Sequence, residues 1–111
     1  MIDSTSGGSL LSAFKKNQKV LYAIGDETRQ AILITLMTGS QMPGMRVGEI
    51  TEQTKLSRPA VSHHLKILKE AQIINVRKQG TMNFYHLSAK SKLRQLKDLI
   101  LQLDELLAHC E

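Results

Sequence analysis

In 111 residues the chain has no tryptophan, two tyrosines, two phenylalanines, two prolines and one cysteine. So few rings make an aromatic-lined ligand pocket hard to build. The single Cys110 excludes an internal disulfide and fits a reducing cytoplasm. No apolar run approaches the roughly 18 residues that a transmembrane helix needs. The opening "MIDSTSGGSL" lacks the basic and apolar regions of a signal peptide. A cytoplasmic protein without membrane contact is the expectation. Catalytic motifs are missing as well: there is no Gly-rich phosphate loop, no HExxH, no nucleophile motif and no carboxylate pair with a pocket to sit in. Neither an enzyme nor a cofactor is expected.

What is present is a globular composition, 41% hydrophobic, in a length that suits one modest core. The net charge is +5, and its placement matters more than its size. Residues 57–87 hold five basic side chains (Arg58, Lys66, Lys69, Arg77, Lys78) against one acidic, Glu70. The flanking thirds are close to neutral. A basic middle third suits a phosphate-facing surface, and equally a solvated basic face.

The small polar residues 1–8 read as a flexible tail, and 9–111 as a single domain. From Ser9, the spacing of Leu10, Leu11, Phe14, Leu21 and Ile24 predicts one helix that Gly25 ends. Asp26 is a plausible N-cap for the next, with Ala31, Ile32, Ile34 and Leu36 inward. The segment 38–45 contains Gly39, Pro43 and Gly44 and reads as a loop. A short helix follows over Val47–Thr54.

In "LSRPAVSHHLKILKE" (56–70), Ser57 can cap a helix whose first turn holds Pro59, where a missing N–H is harmless. Val61, Leu65 and Leu68 recur at i, i+4 and i+7 as a buried stripe. Arg58, Ser62, His63, Lys66 and Lys69 fall off that stripe, and His64 falls at its edge. Next, "IINVRK" and "MNFYHL" flank a glycine turn, which signals a hairpin whose tip carries Lys78, Gln79, Gly80 and Thr81. After Ser88 the chain turns helical again. Leu93, Leu96, Ile100, Leu103 and Leu107 make a heptad seam. Short helix, tight turn, polar-faced helix and basic hairpin together spell a mainly α fold with a small β-hairpin, a winged helix-turn-helix.

Such a helix reads DNA by placing donors and acceptors at base edges in the major groove. The expected DNA-binding residues are Ser57, Arg58, Pro59, Ser62, His63, Lys66 and Lys69 on the helix, and Arg77, Lys78, Gln79 and Thr81 on the wing. Arg58 can form a bidentate pair with guanine, whereas Lys66 and Lys69 suit phosphates. Metal binding is the weaker alternative. Adjacent His63 and His64 point about 100° apart on a helix and cannot share one ion. His109 and Cys110 could ligate a metal with His86 or a partner chain completing the site, but a frayed C-terminus is the favoured reading, so no metal is expected. The leucine seam can pack on its own domain or on a second copy. A two-fold dimer is the expectation, through Leu10, Leu11 and Phe14 with Leu93, Leu96, Ile100, Leu103 and Leu107.

Three stretches resemble a known family. "GDETRQAIL" resembles "LADPTRLRIL", "LSRPAVSHHLKILKEAQII" resembles "LSQPTVSRHLKVLREAGLV", and "RKQGTMNFYHL" resembles the wing "RREGRWVYYRL". Together they are similar to the ArsR family of bacterial winged-helix repressors. The resemblance implies a homodimer joined through its first and last helices, a palindromic double-stranded operator, and a signal that releases DNA. The inducer stays unknown. Two metal sites common in the family lack their residues here. Arg46 and Gly48 stand where a cysteine pair would be, and Ala89, Ser91, Gln102 and Glu105 where a zinc set would be. Lys55 stands where the turn usually has glycine, so a left-handed backbone at a non-glycine residue is expected there. The reading from sequence is therefore a sequence-specific transcriptional regulator, a homodimeric repressor. Its rival is a winged-helix module for protein contacts, using the same leucine surfaces and leaving the basic face idle.

Overall fold

The computed structural model describes residues 4–110. The elements run α1 (Ser4–Lys16), α2 (Gln18–Ile24), α3 (Glu27–Thr38), α4 (Val47–Thr54), α5 (Arg58–Glu70), β1 (Ile74–Gln79), β2 (Met82–Leu87), a 3-10 turn (Lys92–Gln95) and α6 (Leu96–Leu107). This is the mainly α winged helix-turn-helix expected, and the short helix 47–54 falls where the sequence put it. None of these helices is long and apolar enough to cross a membrane.

Two corrections concern the N-terminal helix. It starts at Ser4, so residues 4–8 are helical and not a loose tail; the rest of the expected tail, 1–3, lies outside the described residues. It also breaks at Asn17, where one helix to Ile24 was expected. Asn17 is 1% exposed with φ −99° and ψ 7°, and its Nδ2 donates to the Ala13 carbonyl at 2.8 Å. A buried amide bonding the backbone one turn back competes with the continuing ladder, and that separates α1 from α2.

Two apolar clusters hold the chain. The main one gathers Ile32, Leu33 and Leu36 of α3, Ile50 of α4, Val61, Leu65 and Leu68 of α5, and Ile73 and Ile74 entering the hairpin. Burying each large aliphatic there contributes about 1.5–3 kcal/mol before entropy is counted. The second joins Leu10 and Ala13 of α1 to Leu99 of α6, flanked by Leu21, Leu96 and Leu103. The phase of α3 differs from expectation. Its inward stripe is Arg29, Ile32, Leu33 and Leu36, while Ala31 and Ile34 face out. Ile32 and Leu36 are buried as expected, but an arginine occupies one slot of this i, i+3, i+4, i+7 set, so apolarity alone put Ala31 and Ile34 inward in place of Arg29 and Leu33.

The hairpin pairs Ile74 with Leu87 through to Gln79 with Met82, leaving a two-residue turn in which Gly80 takes φ +63°. The loop before α4 touches its edge: Met45 and Tyr85 exchange N–H···O bonds at 2.7 Å each way. Gly44 (φ +116°) lets the loop come that close, since a Cβ there would sit 2.7 Å from the Tyr85 carbonyl. The wing is thereby tied to the segment that leads into the helix-turn-helix.

Candidate nucleic-acid interface

The turn between α4 and α5 is three residues long, and each end of it is capped. Lys55 closes α4 in the left-handed region (φ 63°, ψ 19°) and donates its N–H to the Thr51 carbonyl at 2.8 Å. Ser57 opens α5 by accepting from the Ala60 N–H at 3.2 Å, and Pro59 lies in the first turn. At the start of α4, Glu49 reaches back to accept from the Arg46 N–H at 3.1 Å. These bonds set the direction in which α5 leaves the turn, with Val61, Leu65 and Leu68 buried.

Ser57, Arg58, Pro59, Ser62, His63, Lys66 and Lys69 are all exposed, so the outer face of α5 presents the expected set. His64 is half-buried behind that face. Its ring lies 5.3 Å from that of His63 in an edge-on arrangement. Its Nδ1 lies 3.2 Å from Nη1 of Arg29. Burial lowers the His64 pKa from the ordinary imidazole value; the Asp26 carboxylate pulls it up, and Arg29 and His63 push it down. Asp26 caps α3, and the bond it accepts from the Arg29 N–H holds its carboxyl below the usual range.

The wing side is mixed. Lys78, Gln79 and Thr81 are exposed at or beside the tip. Arg77 is half-buried, and its Nη1 donates to the Pro43 carbonyl, so this guanidinium is engaged with the loop before α4. A cleft brings the two halves together. Arg58 of α5 and Thr81, Met82 and Asn83 of the wing face Arg46, Glu49 and Glu52 around α4. A Cβ on Gly48 would lie 3.7 Å from Nη1 of Arg58, so that guanidinium leans back over the first turn of α4. Sequence reasoning did not single out Arg46 and Asn83, which also line this cleft. Arg46 registered only as a replacement for cysteine, although a basic residue just before the first helix of a helix-turn-helix was signal enough.

Among the residues expected to join two copies, the structure divides the set. Leu11, Phe14, Ile100 and Leu107 are exposed, together with Leu101 and Leu106. Leu96 and Leu103 are half-buried against α1. Leu10 and Leu93 are corrections: Leu10 is buried against Leu99, and Leu93 packs on the main core. Leu99, which the seam left to one side, is the buried centre of α6. Leu96, Leu99 and Leu103 share one face of α6, and α1 packs on that face. Among the described residues no three His, Cys, Asp or Glu side chains gather into a group that could hold a metal.

Residues 26–76, from the α3 cap through α5 into β1, match the family described as bacterial regulatory protein, arsR family. An HTH-type transcriptional regulator of Methanocaldococcus jannaschii is 36% identical over 96 residues, covering 86% of this chain and all of that one. The transcriptional repressor SdpR of Bacillus subtilis is 41% identical over 69 residues, covering 62% of this chain and 72% of that one. The fold matches the crystal structure of an ArsR family transcriptional regulator with a TM-score of 0.72 at 20% identity, covering 87% of this chain and 95% of that one.

Proposed function

The chain belongs to the arsR family of bacterial regulatory proteins and is a DNA-binding transcriptional regulator; we propose that it acts as a homodimeric repressor on a palindromic operator. The observation that carries this reading is the exposed polar face of α5, with the basic wing beside it and the α4 turn behind it. In the proposed complex α5 enters the major groove. Arg58, Ser62 and His63 lie nearest the base edges, with Ser57 and Pro59 at the entry point. Lys66 and Lys69 meet phosphates further along, and Lys78, Gln79 and Thr81 carry the wing to the flanking backbone. Arg77 contributes by bracing the wing against the Pro43 loop.

Dimerisation through α1 and α6 is part of the same proposal. Leu11, Phe14, Ile100 and Leu107 are large apolar side chains left in water on neighbouring helices, and a second copy would cover them. Residues 9–111 then form one domain that carries both the reading head and the dimer helices. Repression, as against activation, is supported by the B. subtilis relative, a transcriptional repressor. The test is selection of bound duplexes from random DNA, followed by salt titration on the selected sequence. A two-fold symmetric site and an affinity that falls steeply with salt are expected. No retained DNA at low salt would favour a protein-contact module in its place.

A further inference from the structure

Arg29 is 5% exposed, and carbonyls surround its guanidinium. Nε donates to the Ala23 carbonyl at 2.7 Å and Nη2 to the Tyr22 carbonyl at 3.1 Å, so the side chain caps the end of α2. The Tyr22 ring lies 4.9 Å from the guanidinium carbon. The remaining arm, Nη1, meets Nδ1 of His64 at 3.2 Å. A guanidinium can only donate, so Nδ1 must accept, and the ring proton must sit on Nε2. This bond exists for neutral His64 alone. An imidazolium has no lone pair at Nδ1 and would face a fixed positive charge at the same distance.

We propose that Arg29 and His64 are positioning residues for DNA reading: they tie the corner between α2 and α3 to the middle of α5, and protonation of His64 loosens that tie and weakens sequence-specific binding. The inference rests on the DNA-reading role of α5. His64 is half-buried behind the exposed face of α5, with its ring 5.3 Å from that of His63, so a change at this tie alters the seating of the helix that carries the reading residues.

Other charges do not compensate. Asp26, capping α3, is the one carboxylate that draws a proton toward His64. Arg29 and His63 oppose it, and burial opposes it most. Lys19 of α2 and Glu70 of α5 line the cleft further along, around Ile67. Arg46, Glu49 and Glu52 of α4 lie with Arg58 at the other end of α5. The sign follows from the His64 pKa being lowered in the folded chain. The unfolded chain takes up the proton first as pH falls through about 6.5, so the folded arrangement loses stability from there downward.

The test compares wild type and His64→Asn on two duplexes, one recovered by selection from random DNA and one of random sequence. Asparagine at 64 offers an amide oxygen near the Nδ1 position and does not titrate. Between about pH 7.5 and about pH 5.5, wild type is expected to lose about threefold to tenfold on the selected duplex, and His64→Asn less than about twofold. On the random duplex no such loss is expected, since phosphate attraction grows as histidines charge. If wild type and His64→Asn share one pH profile, the positioning role is overturned while DNA reading stands. Binding to neither duplex at either pH overturns the DNA reading itself, and the inference with it. A stability profile that differs between the two proteins while their DNA profiles coincide makes the contact merely structural, which also overturns it. Should His64→Asn fail to fold, the ¹⁵N shifts of the wild-type imidazole decide. An Nε2–H tautomer that protonates with the same midpoint as the loss of specific binding supports the inference, and separate midpoints overturn it.

Discussion

Lys55 carries its side chain at φ 63° and ψ 19°, where an L-residue pays about 1–2 kcal/mol for the approach of Cβ to the next carbonyl. Glycine at this position removes that strain but gains freedom in the unfolded chain, which returns about 0.5–1 kcal/mol. Lys55→Gly is therefore expected to stabilise the protein by up to about 1 kcal/mol, seen as a raised denaturation midpoint with an unchanged slope. A lowered midpoint would mean that the lysine side chain makes a contact worth more than the strain. Arg58 is the other telling residue. Its guanidinium rests over Gly48 in the cleft and must swing forward to reach a base. Arg58→Ala is expected to cost about 1–3 kcal/mol on the selected duplex and much less on random DNA, as loss of a bidentate base contact should. Equal losses on both duplexes would leave Arg58 as a phosphate ligand held in its resting place.

The wing works as an element because its strands are pinned at the base and free at the tip. Met45 pairs with Tyr85, and Arg77 holds the Pro43 carbonyl, so the lower half cannot sway independently of α4. Among the described residues nothing tethers the side chains of Lys78, Gln79 and Thr81 in this way, and they stand in solvent. Lys78→Ala is expected to weaken binding to all sequences alike and to lower the salt slope by about one unit, the release of one counterion. An unchanged slope would show that the tip does not reach DNA. Arg77→Ala should behave differently, since its side chain acts through the loop.

At the scale of the molecule the chain is long, 52 × 25 × 21 Å, with a radius of gyration of 16.9 Å. A compact domain of about 100 residues has a radius of gyration near 13 Å. The two apolar clusters explain the length: the α1–α6 pair has its own small core beside the reading head. That pair leaves Ile100 53% exposed next to a largely apolar flank. In a dimer built on this flank a carboxylate at 100 would be buried without a partner, at several kcal/mol. Ile100→Glu is expected to give a folded monomer that loses operator binding, because one subunit cannot span two major grooves about 34 Å apart. Light scattering, circular dichroism and operator titration on both proteins check this. A folded dimer that still binds operator would place the interface elsewhere.

The sequence by itself determined whatever depends on near neighbours in the chain. The caps at Asp26 and Ser57, the proline in the first turn of α5 and the hairpin turn at Gly80 each follow from local sterics and hydrogen bonding, whereas the left-handed Lys55, which local sterics oppose, was legible only through the family resemblance. The exposed face of α5 was legible too, because one strong stripe fixed its phase. Tertiary structure alone decided the matters where several faces were equally apolar or a polar residue took a buried slot. In "AILITLM" nearly every position is apolar, and the true phase of α3 is set by Arg29 turning inward to cap α2 and meet His64. In α6 the wide leucine surface left Leu99, Ile100 and their neighbours interchangeable until α1 packed on one side of it. The Asn17 break is of the same kind, since an asparagine reads as a surface residue until its neighbours close over it. Burial is a property of the partner surface as much as of the residue, and a pattern along one helix does not contain its partner.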